Sequence, residues 1–178
     1  MGKTPSRQQG RRAPRRKGRA SSDAERRALA KANAVPARPS APPSEGFAVL
    51  HADGGARGAP GPAAIGYVLD DAQGTRVAAH AEAIGVAAAA EAEYRALLAG
   101  LERALELGIT RLSARSDSRL LIGHVKGERR MRSARLVALA AEIDDARMRV
   151  GTVLFEWVPA AANGDAHELV ARVLASGD

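Results

Sequence analysis

Apolar and polar positions alternate along the first half of the folded region and then change period. Phe47-Ala48-Val49-Leu50-His51-Ala52 reads as a short strand that runs into Asp53-Gly54-Gly55-Ala56-Arg57-Gly58-Ala59-Pro60-Gly61-Pro62, a glycine- and proline-rich turn. Ala64-Ile65-Gly66-Tyr67-Val68-Leu69 is the returning strand, so the segment forms a hairpin. From Thr75 to Ile84 the alternation continues, with Val77, Ala79, Ala81 and Ala83 on one face, which completes an antiparallel meander of three strands. Over 89–107 the spacing of Tyr94, Leu97, Leu98, Leu101 and Leu105 is that of an amphipathic helix, closed by Gly108.

The second half adds a strand over 110–116 ending at Asp117, a short helix over 118–125, and a helix from about Ser133 to Met148 with Leu136, Leu139, Ala140 and Ile143 inward. A fifth strand over 152–158 stops at Pro159, and a last helix runs from about Asn163 through Leu169, Val173 and Leu174. The order β-β-β-α-β-α-α-β-α predicts an α/β fold: a mixed five-stranded sheet of three antiparallel strands followed by parallel ones, flanked by helices.

Charge divides the chain. Residues 1–45 hold 12 Lys and Arg against 3 acids, a net of +9, whereas residues 46–178 hold 15 against 17, a net of −2. The clusters Arg11-Arg12 and Arg15-Arg16-Lys17, set among Gly, Pro, Gln and Ser, cannot bury a face and predict a disordered tail that binds nucleic-acid phosphates non-specifically. Ser21-Ser22-Asp23-Ala24-Glu25 opens like a capped transient helix over 21–34, and Pro36, Pro39, Pro42 and Pro43 make a semi-rigid linker. The boundary falls near Gly46, giving a basic tail and linker over 1–45 and one domain over 46–178. The absence of cysteine excludes disulfides and thiolate metal sites. With no secretory signal and no apolar run of membrane length, the expectation is a cytoplasmic monomer with no membrane partner.

Three carboxylates stand at places where chemistry and local structure compete. Asp53, where the first strand meets the glycine turn, is either a turn aspartate or part of a site. Glu93 lies at the edge of the apolar stripe of its helix, where a helix-start or snorkelling glutamate is the plain alternative. Asp117, between a strand and a helix, reads equally as an N-cap.

Residues 47–176 resemble the type 1 ribonuclease H domain, in the compact bacterial and archaeal branch without a basic handle insertion. Four blocks carry the resemblance: Asp53 through Gly66, Ala92-Glu93-Tyr94 through Leu101, Ser116-Asp117-Ser118-Arg119-Leu120-Leu121, and Trp157-Val158-Pro159 followed by Asn163-Gly164-Asp165-Ala166-His167-Glu168-Leu169. The resemblance implies a metal-dependent endoribonuclease that cuts the RNA strand of RNA·DNA hybrids, leaving 5′-phosphate and 3′-hydroxyl ends. It implies Asp53, Glu93 and Asp117 as catalytic metal ligands, Asp53 bridging two ions of Mg²⁺ or Mn²⁺, and Gly54, Gly55, Arg57 and Ser118 as substrate contacts.

Departures from the family pattern bear on this expectation. Ala88-Ala89-Ala90 replaces a polar triplet, Ala59 an asparagine and Ala160 an arginine. The family's last aspartate falls on His167, an optional ligand that favours Mn²⁺ and leaves a one-ion site open. Asp165, two residues earlier on a helix, faces nearly the opposite way, and His124 reads as structural. The alternative is a nucleic-acid-binding module of the same fold with weak or lost catalysis, and a third reading is action on other nucleic acids.

Overall fold

A computed structural model describes Met1 and residues 46–177. The tail, the helix over 21–34 and the proline linker lie outside the described residues. The strands are β1 (Ala48–Ala56), β2 (Gly61–Asp70), β3 (Arg76–Ala87), β4 (Arg111–Ser116) and β5 (Thr152–Trp157). The helices are α1 (Ala89–Glu106), α2 (Arg119–Val125), α3 (Ala134–Val150) and α4 (Gly164–Ser176), the last entered through a 3₁₀ turn at Ala160–Asn163. The sheet order is β3-β2-β1-β4-β5, with β1, β2 and β3 antiparallel and β4 and β5 parallel to β1, as the element order predicts. Among the described residues, no helix is long and apolar enough to cross a membrane.

The two faces of the sheet differ in chemistry. On one, the buried stripe of α1 (Tyr94, Leu97, Leu101) and that of α3 (Leu136, Leu139, Ile143) close over Leu50, Leu69 and Leu112. Each such side chain contributes roughly 1.5–3 kcal/mol on burial, so this face carries most of the hydrocarbon stabilisation. On the other face α4 covers a small cluster of Val68, Ala81 and Leu169. Polar side chains lie buried beside it, among them His51, Asp70, Ser113, Arg115 and Asn163. Arg76 donates from Nε to Asp70 and from Nη2 to Asp165 at 2.9 Å, which ties the β2–β3 hairpin to the first turn of α4.

The first strand does not stop at Asp53. It continues to Ala56, with Asp53 opposite Gly66 and Gly54 opposite Ile65, and the reversal occupies 57–60, where the Ala59–Pro60 peptide is cis. The glycines that read as a turn are strand residues whose missing side chains admit helices. A Cβ on Gly54 would stand 2.2 Å from the carbonyl carbon of Ala92, and one on Gly55 would stand 3.2 Å from Cγ1 of Val170. Alternation along β1 thus presents Leu50, Ala52 and Gly54 to α1, and His51, Asp53 and Gly55 to α4.

Two further expectations are corrected. The face expected to run through Val77, Ala79, Ala81 and Ala83 keeps its register from Ala79 to Ala83 but breaks at the exposed Val77, where the β2–β3 register shifts between Leu69 and Asp70; a second shift, between Ala63 and Ala64 with Gly85 at φ +78°, follows Ala83. Beyond this bulge Ala87 is buried while Ala83 is exposed. The N-cap of α2 is Ser118, whose Oγ accepts from the Leu121 N–H at 3.3 Å, so Asp117 keeps its carboxylate free of that role.

Close approach at Gly54 has a measurable consequence. In Gly54→Ala the added methyl meets helix backbone, which no rotamer change can clear, so α1 must move. The expected loss is about 3 kcal/mol in urea unfolding. Gly164→Ala, at an αR position with open space around its Cβ, should be neutral or stabilising by about 0.5 kcal/mol. Equal effects at the two glycines would refute the packing account.

Candidate active site

Asp53 on β1, Glu93 on α1, Asp117 at the β4–α2 junction and His167 on α4 line one cleft of about 330 Å³, with Gly54, Gly55 and Ser118 in its wall. Each comes from a different element, and the sheet order makes them neighbours because β1 and β4 are adjacent parallel strands. The Gly54 contact brings the backbone of Glu93 itself onto β1, with its amide nitrogen 2.3 Å from where a Cβ would sit. That places the α1 carboxylate beside Asp53.

Crowded acids in a partly buried cleft resist ionisation. Burial, and then the neighbouring Asp117, push the Asp53 carboxyl up from its ordinary range, while His167 acts against the rise. Burial pushes Glu93 up to about 7, opposed by a hydrogen bond from Ser118 and reinforced by the charges of Asp53 and Asp117. His167, its side chain 72% exposed, sets Nδ1 3.1 Å from Oδ2 of Asp53.

Behind the acids is a polar scaffold. Asn163 Nδ2 donates to Asp117 Oδ1 at 2.9 Å and to the Ala52 carbonyl at 3.0 Å. Its Oδ1 accepts from His51 Nδ1 at 3.3 Å, consistent with a neutral imidazole, since burial lowers the pKa of His51. Trp157 Nε1 donates to the Asp117 carbonyl at 3.0 Å, and the Arg119 guanidinium lies 3.9 Å over the indole ring. Asn163 and Trp157 therefore hold Asp117 by its side chain and its backbone.

Of the residues singled out in the sequence, Arg57 is exposed beyond the end of β1 and is not part of the cleft wall. Asp165 turns from the cleft to Arg76, as its helical spacing predicts. His124 Nδ1 is 2.7 Å from the buried Tyr94 hydroxyl, a structural contact. Asn163 and Trp157 were legible only as parts of a motif. Their bonding to Asp117 joins residues 46 and 40 positions apart, for which no local pattern exists.

The donor set suits a hard divalent cation: three carboxylates supply oxygen and His167 supplies one nitrogen. Burial first, and neighbouring carboxylates second, disfavour the charged forms of Asp53 and Glu93, a cost that such an ion would relieve. Among the described residues, no three His, Asp or Glu side chains are already arranged to hold one ion. Asp53 is turned to His167, Asp117 to Asn163 and Glu93 to Ser118. The residues fit the group in chemistry and charge, and ligation requires these side chains to exchange their present partners.

Residues 51–173 match the family described as reverse transcriptase-like. A bifunctional protein of Mycobacterium tuberculosis is 38% identical over 122 residues, which are 68% of this chain and 34% of that one, so the chain spans about a third of that relative. The N-terminal ribonuclease H domain of the same protein, solved as a fusion with maltose-binding protein, superposes with TM-score 0.71 at 35% identity, covering 73% of this chain and 94% of that one. Ribonuclease H1 of Halobacterium salinarum gives 0.72 at 32% identity, covering 74% of this chain and 100% of that one. A ribonuclease H1 isolated from compost, solved in complex with an RNA/DNA hybrid, gives 0.68 at 32% identity, covering 72% and 96%. With sequence identity, fold and element order in agreement, the chain belongs to the type 1 ribonuclease H family.

Proposed function

We propose that the domain is a metal-dependent endoribonuclease that hydrolyses the RNA strand of RNA·DNA hybrids. The observation that carries the reading is the convergence of Asp53, Glu93, Asp117 and His167 from four elements on one cleft in which two carboxyls are raised. The hybrid as substrate is supported by a relative bound to an RNA/DNA hybrid. In this reading Asp53, Glu93 and Asp117 would hold Mg²⁺ or Mn²⁺, with His167 as an optional further ligand. Bound divalent ions there supply an activated water and charge stabilisation for the leaving 3′ oxygen.

The chain's own groups do the positioning. Ser118 restrains Glu93, Asn163 and Trp157 fix Asp117, and the close seating of α1 on β1 keeps Glu93 beside Asp53. The backbone at Gly54 and Gly55, with Ser118, forms the wall along which the RNA strand lies, where 2′-hydroxyls are met. Arg57, outside the wall, serves as a peripheral phosphate contact. One observation favours a second reading, a binding module with weak catalysis: His167 stands in for an acid and is hydrogen-bonded onto Asp53. The +9 tail adds sequence-blind phosphate affinity in either case.

Asp117→Asn keeps an oxygen for the Asn163 amide, so the fold should persist while hybrid cleavage in Mg²⁺ or Mn²⁺ falls by about a thousandfold. Near-normal cleavage by this variant would sink the metal reading, and binding without cleavage by the unaltered chain would favour the module.

The raised Glu93 sets a pH dependence. With a folded-state pKa above the unfolded value, its neutral form stabilises the fold fully below about 4.5, and this contribution is lost as pH rises towards about 7. A cation must displace the proton, so Mg²⁺ or Mn²⁺ should raise the melting temperature more at pH 8 than at pH 5.5, and Glu93→Gln should flatten that difference. A metal-induced shift that ignores both pH and Glu93→Gln excludes this carboxylate as a ligand.

Deleting residues 1–45 should weaken hybrid binding and reduce its salt slope. Identical slopes for the full and shortened chains, measured by anisotropy from low to high salt, would dismiss the tail as a contact.

A further inference from the structure

A larger groove, of about 860 Å³, opens next to the catalytic cleft, between α2, the last turn of α3 and the edge strand β5. Its floor is apolar, with Val153, Phe155 and Ile122, and its rim carries four cations, Arg119, Lys126, Arg129 and Arg147, against Glu128 and Glu156. Glu156 is bound to Arg115, and Glu128 to Lys126. Arg119 and Arg129 have no carboxylate partner among the described residues. Arg147 is paired with Asp144, so two guanidinium groups free of carboxylates, Arg119 and Arg129, stand along one groove of a domain whose net charge is −2.

Two features point to a polynucleotide. The Arg119 guanidinium stacked 3.9 Å over Trp157 forms a planar platform at the mouth of the groove, of the kind that takes a base on its face and a phosphate at its edge. The platform is also joined to the cleft, because Trp157 Nε1 bonds the carbonyl of Asp117 and Arg119 follows two residues later. A strand leaving the cleft at Asp117 meets Arg119 first and Arg129 beyond it.

We propose that this groove binds the single-stranded continuation of the RNA strand where it runs past the end of a hybrid, so that the enzyme favours hybrids with an RNA extension. The proposal rests on the ribonuclease H reading of the adjoining cleft and adds a second contact region to it.

Trp157 is the sole tryptophan of the chain, so its fluorescence reports on the groove directly. Oligouridylate should quench it saturably in the full-length protein, and Lys126→Ala/Arg129→Ala should bind about tenfold more weakly with the tail still present. In cleavage assays a hybrid with a single-stranded RNA extension should show a KM about fivefold below that of the blunt hybrid. The double variant should make the two substrates equal while handling the blunt one like the unaltered enzyme. Equal KM values for both substrates in the unaltered enzyme overturn the proposal, as does quenching by an acidic peptide but not by oligouridylate. Failure to cut either hybrid would instead strike the ribonuclease reading, with the fluorescence titration still deciding the groove.

Discussion

The structure depends on how closely two helices approach one strand. At Gly54 the backbone of α1 sits where a side chain would be, and at Gly55 the side chains of α4 fill the corresponding space on the opposite face. Gly66, paired with Asp53 across the hairpin, makes room for α4 again, and Gly100 on α1 is filled by Leu50. With β1 clamped at this distance, the carboxylates of Asp53 and Glu93 are forced together, although like charges in a half-buried cleft repel. The cost, set first by burial and then by neighbouring carboxylates, appears as raised pKa values at both residues, and the hydrocarbon face under α1 and α3 offsets it.

Asp117 is held differently. Its neighbours are neutral donors: an amide on its carboxylate and an indole on its carbonyl. The amide also grips the Ala52 carbonyl next to Asp53, so the same side chain gauges the separation of the two strand ends that carry acids. A neutral donor suits this place, because it orients a carboxylate without neutralising it and leaves its charge available to a cation.

Much of this was legible in the sequence, for reasons tied to particular residues. The order of strands and helices followed from the two hydrophobic periods, and the sheet topology from the need of parallel strands for crossovers. Of the acids of the cleft only Glu93 stood out as misplaced for structure, at the edge of an apolar stripe; Asp53 and Asp117 read equally as a turn residue and an N-cap, and the family resemblance singled them out. Gly54 and Gly55 misled, because a glycine pair after a short apolar run reads as a turn when only local signals are weighed. Their actual reason, the approach of residues some forty and more than a hundred positions away, has no local trace. Ser118 against Asp117 as the cap of α2 is a choice between adjacent good cappers, settled by which side chain the rest of the cleft leaves free.

The unequal chemistry of the two sheet faces divides the cleft by its mode of attachment. Asp53, Glu93 and Asp117 stand on elements welded by the large apolar core. His167 rides on a helix fastened by a few apolar contacts and the Arg76 ion cluster. The cleft thus draws its three acids from elements anchored in the hydrocarbon core and its one imidazole from the helix on the polar face of the sheet.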